Sequence, residues 1–321
     1  ERGLGTDQSN ISVIVGDEVI VKWRSAPDAN GGRSNRLRRH AQANGFSRTP
    51  ALLASLTWRD GAGRTWILAD VDALLPGAED GWDHAIASLR SALEASAAMD
   101  AGYAESGGQL TAALHAALLR PSEIIAHPTR EATPADVAAI RDGGLGLLQR
   151  TLAIEADDQD VVVARAPRLR EAIERGTTAS TPLGPIHGDL HIGQLVPWRG
   201  GLDVIDFDGA PEPTAPVGDL DAPARDVAQM VCSLWSVAAV VDERTDGAHT
   251  TRLQAWAASA EQAFLRAYRR GLQQSGIDTH AGELFEAFMA EQLCRELLYA
   301  ESTLPRWRYA PLQALRWRYP Q

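Results

Sequence analysis

The chain has 321 residues, of which 45% are hydrophobic, so it can bury a full core as one large domain or as two lobes. Its 31 basic and 42 acidic residues give a net charge of -11, which repels polyanions and excludes nucleic acid as an expected partner. No apolar run approaches the ~18 residues of a membrane span, and no signal peptide is recognised. Two cysteines without metal-ligand spacing predict buried thiols in a reducing cytoplasm.

The first 70 residues predict a small antiparallel sheet with one helix. Two hairpins turn at Gly16-Asp17 and at Asp60–Gly63, which are rich in the residues that tight turns favour. A helical pattern over 34–44 stops at Gly45, a usual residue after a helix C-terminus. The β-branched runs that predict the strands lie at 11–15, 18–23, 51–58 and 64–69.

After Pro76-Gly77 the pattern becomes helical and rich in alanine. Amphipathic helices are predicted near 82–98, 107–119, 134–153, 158–175, 223–241, 249–274 and 280–301. A polar loop at 176–185 interrupts them and leads into a distinctive segment at 186–208. The predicted fold class is α+β and bilobal, with a β-rich lobe over 1–72, a hinge at about 68–76 and a helical lobe over 73–321.

The distinctive segment carries two acidic loops. Phosphoryl transfer needs metal ions on the phosphates, an acceptor hydroxyl held in line and a carboxylate to take its proton, and these loops contain such groups. Two Asp residues also serve as turn formers, but the combination here is far more specific. Zinc is disfavoured, because a glycine separates the two histidines and no Glu stands where a helical zinc site needs it. The loops read His187-Gly188-Asp189-Leu190-His191-Ile192-Gly193-Gln194 and Val204-Ile205-Asp206-Phe207-Asp208.

This segment resembles the catalytic and metal-binding loops of the aminoglycoside phosphotransferase and choline kinase superfamily, whose members are relatives of protein kinases. The resemblance implies a protein-kinase-like fold, Asp189 as the catalytic base, and Gln194 and Asp206 as magnesium ligands. His187 would brace the loop rather than react. Most of the superfamily has Asn at the position of Gln194, whose longer side chain offers the same amide oxygen. ATP and Mg²⁺ are the co-substrate and cofactor that the resemblance implies.

Phosphate binding is expected in the first lobe. Lys22 ends a β-run, where a kinase-like enzyme needs a cation for the α- and β-phosphates. Ser9 and Asn10 belong to a polar turn whose backbone N–H groups can cradle phosphate. A kinase fold usually pairs this Lys with a Glu on the following helix, but residues 34–44 contain no acid, so the partner of Lys22 stays open.

Adenine recognition is expected at the hinge between the two lobes. Backbone groups bind the base there, so side chains say little. The predicted contact stretch is Leu68 to Asp72, which includes Asp70 and Val71.

A closer resemblance, to bacterial maltokinases, covers almost the whole chain. Its most specific parts are Asp80-Gly81-Trp82 and His187 to Gln194. The departures fall where a sugar should bind, at Asp208-Gly209-Ala210-Pro211 and at Tyr299 to Trp307, where maltokinases carry Glu-Gly-Glu-Pro and a tract with Arg and Asn. Other matching stretches are Asp7-Gln8-Ser9-Asn10, Leu75 to Gly81, Leu110-Thr111 with His115, Arg225-Asp226-Val227-Ala228 and Pro305 with Trp307.

The Asp-Phe-Asp-Gly variant, with Asp219-Leu220-Asp221 and Arg225-Asp226, resembles the actinobacterial glucosamine kinases, a sister group. The resemblance implies an ATP-dependent kinase that forms glucosamine 6-phosphate. An aminosugar carries a cation, which acids near the cleft can complement. Capping or salt bridging at Arg225 and core packing at Trp307 are alternatives to sugar binding. The expected sugar contacts are Asp208, Asp221, Arg225, Glu291, Glu296 and Trp307.

Other functions stay open at this point. The first alternative is a maltokinase forming maltose 1-phosphate, and the second an aminoglycoside or other small-molecule phosphotransferase. A pseudokinase scaffold is disfavoured because Lys22, Asp189 and Asp206 are all present. A protein kinase is disfavoured because Pro211-Glu212-Pro213 follows Asp206 too closely for an activation segment. We expect a cytoplasmic monomer or homodimer with a sugar substrate and no membrane partner.

Overall fold

The antiparallel sheet predicted near the N-terminus is present in a computed structural model, which describes residues 2–3, 11–29, 32–177, 181–210, 220–277 and 282–320. Its strands are β1 (Arg2–Gly3), β2 (Ile11–Val15), β3 (Val19–Ala29), β4 (Leu52–Arg59) and β5 (Thr65–Ala73). They lie in the order β1-β2-β3-β5-β4, with every neighbouring pair antiparallel. We call residues 11–73 the sheet region.

The first hairpin is set by its turn. Gly16 and Asp17 both have positive φ, 63° and 52°, as a type I′ turn requires. The turn places Val15 opposite Val19 and so fixes the register of β2 on β3. This register decides which residues of β2 lie beside Lys22, and it places Ser12 opposite Lys22.

Strand β5 is an inner strand, and this corrects the predicted adenine hinge at Leu68 to Asp72. Asp70 and Val71 are paired with β3 on one side and with β4 on the other. Backbone groups that pair with both neighbouring strands are not free to bind a purine edge. The chain leaves the sheet only after Ala73, so residues 74–80 form the connection to the helices.

Helix α1 (Arg33–Ala43) is tied to the inner strand of the sheet by two side chains. Asn35 donates a 2.8 Å hydrogen bond to Asp70, and Arg38 forms a 2.5 Å ion pair with Asp72. The polar residues of β5 that interrupt its apolar pattern therefore hold α1 in place.

The helices predicted for the rest of the chain are confirmed, with ends that shift by a few residues. They are α2 (Gly81–Glu94), α3 (Gly102–Leu118), α4 (Pro134–Leu152), α5 (Gln159–Gly176), α6 (Ala224–Glu243), α7 (Thr250–Gln274) and α8 (Gly282–Ser302). A further helix, α9 (Tyr309–Arg318), was not predicted, because Pro305 and Pro311 hide its start. The short strands are β6 (Arg130–Glu131), β7 (Pro182–Leu183), β8 (Leu195–Trp198) and β9 (Gly201–Val204).

Helix α6 is the centre of this helical region, since every residue from Ala224 to Asp242 is buried. It packs against α2, α7, α8 and α9. In the described part of the chain it is also the one helix long and apolar enough to cross a membrane, but 94% of that window is buried inside the protein. The core helix of a soluble protein passes the same test.

Both cysteines lie in this core, as predicted. Cys232 is on α6 and Cys294 on α8, and both are buried free thiols. Burial raises the pKa of both groups, that of Cys294 to about 12. Neither cysteine is therefore available as a thiolate at neutral pH.

Candidate active site

The His187-Gly188-Asp189 segment and the residues after it, 186–192, form what we call the HGD loop. Its backbone is held by Asp226 in the first turn of α6. The Asp226 carboxylate accepts hydrogen bonds from the backbone N–H of His187 (2.7 Å) and of Gly188 (2.8 Å). The carboxylate oxygen that accepts from His187 also meets His115 (3.0 Å), which in turn contacts Tyr268 (2.8 Å). Burial alone would raise the pKa of Asp226, but these hydrogen bonds and the nearby histidines hold it below its ordinary value.

Two further residues of α6 extend this support along the same helix face. Gln229 accepts a hydrogen bond from the backbone N–H of Leu190 (3.2 Å), and Ser233 accepts one from that of Ile192 (2.9 Å). The positions 226, 229 and 233 are spaced by three and four residues, which places them on one side of a helix. The loop that carries Asp189 is thus fixed by a buried helix rather than by its own turns.

His187 is buried and braces the loop from within. Its Nε2 atom lies 2.9 Å from the backbone oxygen of Ile205, which only a protonated nitrogen can satisfy. Nδ1 is then the acceptor that faces the backbone N–H of Asp189 at 3.4 Å. Burial lowers the pKa of His187, so the ring stays neutral at physiological pH. This is the arrangement expected of a bracing residue, and it joins the HGD loop to the second acidic loop.

That second loop, residues 205–209, is called the DFD loop here after Asp206-Phe207-Asp208. It is held by cations of strand β3. Lys22 lies 2.7 Å from Asp206 and 2.8 Å from Asp208, and Arg24 lies 2.5 Å from Asp208. Asp206 has a φ of 61°, a conformation that non-glycine residues adopt rarely and mostly at turns and functional sites.

The sequence left the partner of Lys22 open because the following helix has no Glu, and these ion pairs identify it. The partners of Lys22 are Asp206 and Asp208, while Asp70 pairs with Arg24 at 2.6 Å instead. Burial alone would raise the pKa of Asp208, but Lys22 and Arg24 hold it well below its usual range. In this structure the Asp208 carboxylate is engaged with the cations of the sheet, and the sugar contact expected there stays a prediction.

The predicted magnesium ligands have the chemistry that Mg²⁺ prefers, which is oxygen donors with room for water and phosphate. The side chain of Asp206 is 39% exposed, so it can reach a metal–nucleotide complex. The backbone oxygen of Gln194 accepts a hydrogen bond from the N–H of Ile205 (3.0 Å), which sets Gln194 beside Asp206. The amide group of Gln194 lies 3.2 Å from Nε2 of His191. Within the described residues no group of three His, Cys, Asp or Glu is placed to hold a metal ion.

Glu296 lies on α8 and is partly buried. Burial raises the pKa of its carboxyl, and the hydrogen bond from Gln292 (2.7 Å) opposes that rise. The charges of His191 and Asp189 also act on this pKa, in opposite directions. Glu296 is therefore near enough to both residues for their charges to act on its carboxyl.

Trp82 lies close to the end of the HGD loop, since its Cβ atom would be 4.0 Å from one added at Gly193, and Trp307 contacts Trp82. The rings of Trp82 and Trp307 meet edge to face with centroids 6.1 Å apart, and Trp307 also stacks on Tyr309 at 6.2 Å. Trp82 follows Gly81, where an added Cβ would lie 2.1 Å from the backbone oxygen of Leu195. Only glycine lets α2 approach the residues just after the HGD loop this closely, which explains the Gly of the Asp-Gly-Trp motif. A sugar contact at Trp307 stays a prediction, and Trp82 is a neighbour that was not predicted.

Three predicted sugar contacts are engaged with one another in the interior. Arg225 lies 2.6 Å from Asp221 and 2.5 Å from Glu291, and all three side chains are buried. Arg295 adds a second cation to Glu291 at 2.7 Å. The prediction of sugar contacts at Asp221, Arg225 and Glu291 is therefore wrong here, since their charges satisfy each other. The predicted phosphate turn with Ser9 and Asn10, like Asp219, lies outside the described residues.

Several residues of the site were missed by reasoning from the sequence. Asp226 was noted only as part of the Arg225-Asp226 motif, while Gln229 and Ser233 were missed although they follow it at helical spacing. Arg24 and Arg33 had no such signal, because their partners lie far away in the chain and only the fold brings them together.

Comparisons with known proteins place this chain beside glucosamine kinases. It is 36% identical to a glucosamine kinase of Streptacidiphilus jiangxiensis, over 97% of this chain and 72% of that protein. It is 33% identical to a glucosamine kinase of Mycolicibacterium smegmatis, over 98% of this chain and 78% of that protein. No family model matches.

A solved structure agrees with these relatives. It is a glucosamine kinase in complex with glucosamine, ADP and inorganic phosphate, which superposes with a TM-score of 0.86 at 35% identity. The match covers 98% of this chain and 78% of that one. It confirms the predicted bilobal α+β fold.

Proposed function

Because this chain belongs to the glucosamine kinase family, we propose that it transfers the γ-phosphoryl group of ATP to glucosamine, at the primary 6-hydroxyl. The observation that carries the proposal is the setting of Asp189. Its loop is fixed by Asp226 and is joined through His187 to the DFD loop, and the charge of Asp189 acts on the pKa of Glu296. We assign nucleotide binding to the N-terminal lobe, residues 1–72, and acceptor binding to the helical lobe, residues 73–321. The reaction is expected in the cytoplasm, where the buried thiols stay reduced.

Asp189 is assigned as the general base. Phosphoryl transfer relies mainly on positioning and charge, with a carboxylate to accept the proton of the attacking hydroxyl. The hydrogen bonds from α6 hold the backbone on both sides of Asp189, at Gly188 and Leu190. The carboxylate itself is left free of them to meet the sugar hydroxyl.

Asp206 and Gln194 are assigned as the residues that would hold Mg²⁺, whose charge would neutralise the phosphate oxygens and polarise the γ-phosphoryl group. Lys22 bridges Asp206 and Asp208 in this structure. On nucleotide binding, its ammonium group is expected to turn from Asp206 to the α- and β-phosphates. Asp208 and Arg24 would remain paired beside it.

Glu296 is assigned as the partner of the sugar's ammonium group. A charge-assisted hydrogen bond contributes roughly 1.5–3 kcal/mol, which is about ten- to a hundredfold in affinity. Glucose and N-acetylglucosamine lack that cation and would gain nothing from the carboxylate. Trp307 and Trp82 are the aromatic surface on which the pyranose ring can stack.

The test compares kcat/KM for glucosamine, glucose, maltose and N-acetylglucosamine on one preparation. We expect glucosamine to be preferred by about ten- to a hundredfold and Glu296→Gln to remove that preference while glucose turnover is little changed. Glu286→Gln is the matched control, because Glu286 is on the same helix but pairs with Arg318 at 2.6 Å. Preference for maltose would identify a maltokinase, the function that the shared motifs make the next candidate.

The pH dependence tests the same residue independently. Because the pKa of Glu296 is raised, its carboxylate is lost on acidification sooner than that of an ordinary glutamate, whose pKa is ~4.3. We expect KM for glucosamine to rise as the pH falls from neutral, while the sugar's amine stays protonated. In Glu296→Gln the KM for glucosamine would be high and flat over the same range.

A further inference from the structure

Arg33, the first residue of α1, reaches out of the sheet region and touches both acidic loops at once. Its Nη2 donates to the backbone oxygen of Ile186 (2.6 Å), and its Nη1 donates to those of His187 (2.9 Å) and Phe207 (2.7 Å). Ile186 and His187 stand directly before Gly188-Asp189, and Phe207 directly follows Asp206. A single guanidinium group therefore joins the backbone on either side of the site.

The backbone of both loops is shaped to receive this side chain. Gly188 and Gly209 have positive φ, 86° and 82°. A Cβ atom added at Gly188 would lie 2.9 Å from Nη2 of Arg33, and one at Gly209 would lie 3.0 Å from Nη1. The guanidinium group thus occupies the space between two glycines, where any other residue would meet it.

Helix α1 also binds strand β5, so it connects the two loops to the sheet that carries Lys22. Two residues after Arg33, Asn35 binds Asp70, and Arg38 binds Asp72, both on the inner strand β5. That strand lies next to β3, which carries Lys22. The position of Lys22 is therefore linked through β5 and α1 to the backbone of both loops.

We propose that Arg33 is a positioning residue, which sets the distance between Asp189 and Asp206 and aligns both with the Lys22 strand. The inference rests on the proposed function, because those two carboxylates are assigned there as base and metal ligand. A planar fork of donors suits this task, since it can bind three carbonyl oxygens in fixed directions. A lysine keeps the charge but cannot hold all three oxygens in that geometry.

The main test measures kcat and KM for Arg33→Ala and Arg33→Lys with ATP and glucosamine. Misplacing reacting groups by about 1 Å costs on the order of 10²-fold, so we expect kcat to fall about ten- to a hundredfold in Arg33→Ala and less in Arg33→Lys. KM for glucosamine should stay within about threefold, because no sugar contact is removed. Arg39→Ala is the matched control, an exposed arginine on the same helix that touches neither loop among the described residues.

Chemical rescue separates positioning from general support of the fold. Millimolar guanidinium chloride should restore part of kcat in Arg33→Ala, by filling the space between the two glycines, and should not raise kcat in wild type or Arg39→Ala. Wild-type kcat in Arg33→Lys and Arg33→Ala, or a loss in Arg33→Ala that guanidinium leaves unchanged, would overturn the inference. If Arg33→Ala does not fold, the kcat and KM of Arg33→Lys decide.

Hydrogen exchange keeps this inference distinct from the proposed function. Loss of Arg33 should speed exchange of the backbone amides in 186–190 and 205–209 together, without any substrate. If wild type fails to phosphorylate glucosamine, the proposed function fails, and the exchange result still decides whether Arg33 ties the loops. Unchanged exchange in both loops would overturn the tie itself.

Discussion

The HGD loop and the DFD loop meet in one site, but they are held by different means. The HGD loop is bound through its backbone, by Asp226, Gln229 and Ser233 of a fully buried helix. The DFD loop shares backbone contacts with His187 and Arg33, but its carboxylates are engaged as well, by ion pairs with Lys22 and Arg24 in a partly exposed cleft. The contacts that hold the HGD loop do not use the Asp189 carboxylate, so they need not change when substrates bind or leave. The ion pairs of the DFD loop can be replaced by pairs with other cations.

This difference suits the two tasks assigned to the loops. A base must be in place before the substrate arrives, and preorganised groups cost nothing to reorganise during the reaction. Metal ligands must accept and release a metal–nucleotide complex in each cycle, and paired carboxylates can do so by changing partners. The three predictions below ask whether the two loops carry these separate tasks.

The largest effect is expected from Asp189→Asn. An amide cannot accept the proton of the attacking hydroxyl, so kcat should fall by at least ~10²-fold, the scale of a lost general base. Because the loop is held through its backbone and not through this carboxylate, thermal stability should be unchanged. Steady-state kinetics with a thermal melt checks both halves, and near-wild-type turnover would remove Asp189 from its role.

Asp206→Ala should act on the nucleotide instead. We expect magnesium-dependent ATP binding to be abolished in calorimetry, since a hard oxygen ligand is lost, and Gln194→Ala to weaken it less. Asp189→Asn serves as the control, and its ATP affinity should match wild type. If Asp206→Ala binds Mg–ATP normally, the metal is held elsewhere.

Asp226→Asn should have the smallest effect on turnover but affect the fold as well. One of the two backbone N–H groups loses its acceptor, which costs about 1–3 kcal/mol of unfolding free energy, and kcat should fall about tenfold as the loop loosens. Asp242→Asn, at the other end of α6 where Asp242 accepts from Thr250 (2.8 Å), should leave kcat unchanged.

The pKa of Asp226 also predicts how the stability lost in Asp226→Asn depends on pH. Because the folded pKa is lowered, the ionised group stabilises the fold fully above the ~3.9 of an ordinary aspartate. That contribution is lost as the pH falls through the folded value. The stability difference between wild type and Asp226→Asn, measured by urea unfolding, should therefore be largest near neutral pH and shrink in acid. A difference that grows in acid would contradict it.

Local patterns account for the parts of the fold that the sequence predicts well. The Gly16-Asp17 turn and the Gly45 stop need only their own backbone conformations, and both lie as predicted. The hinge at Asp70 and Val71 was misplaced because charged residues within a strand look like a strand end. Their partners, Arg24 and Asn35, come from other elements, so no local window contains the reason for them.

The candidate site divides in the same way. Asp189 and Asp206 belong to short motifs whose chemistry can be recognised residue by residue. The error at Asp221 and Glu291 arose because a sequence does not show whether an acidic residue is buried or lies in a cleft. What distinguishes them is Arg225, which lies 66 residues from Glu291 and meets it only in the folded core.

The two buried cysteines can be used to measure how often the core of the protein opens. A thiol reagent can reach Cys232 or Cys294 only when the packing of α6 or α8 is broken, so the rate of modification measures how often the core opens. The native surface gives no background in such an assay, because the chain has no other thiol. A third cysteine placed at the mouth of the cleft can then be labelled selectively, and its dye would follow lobe movement while substrates bind.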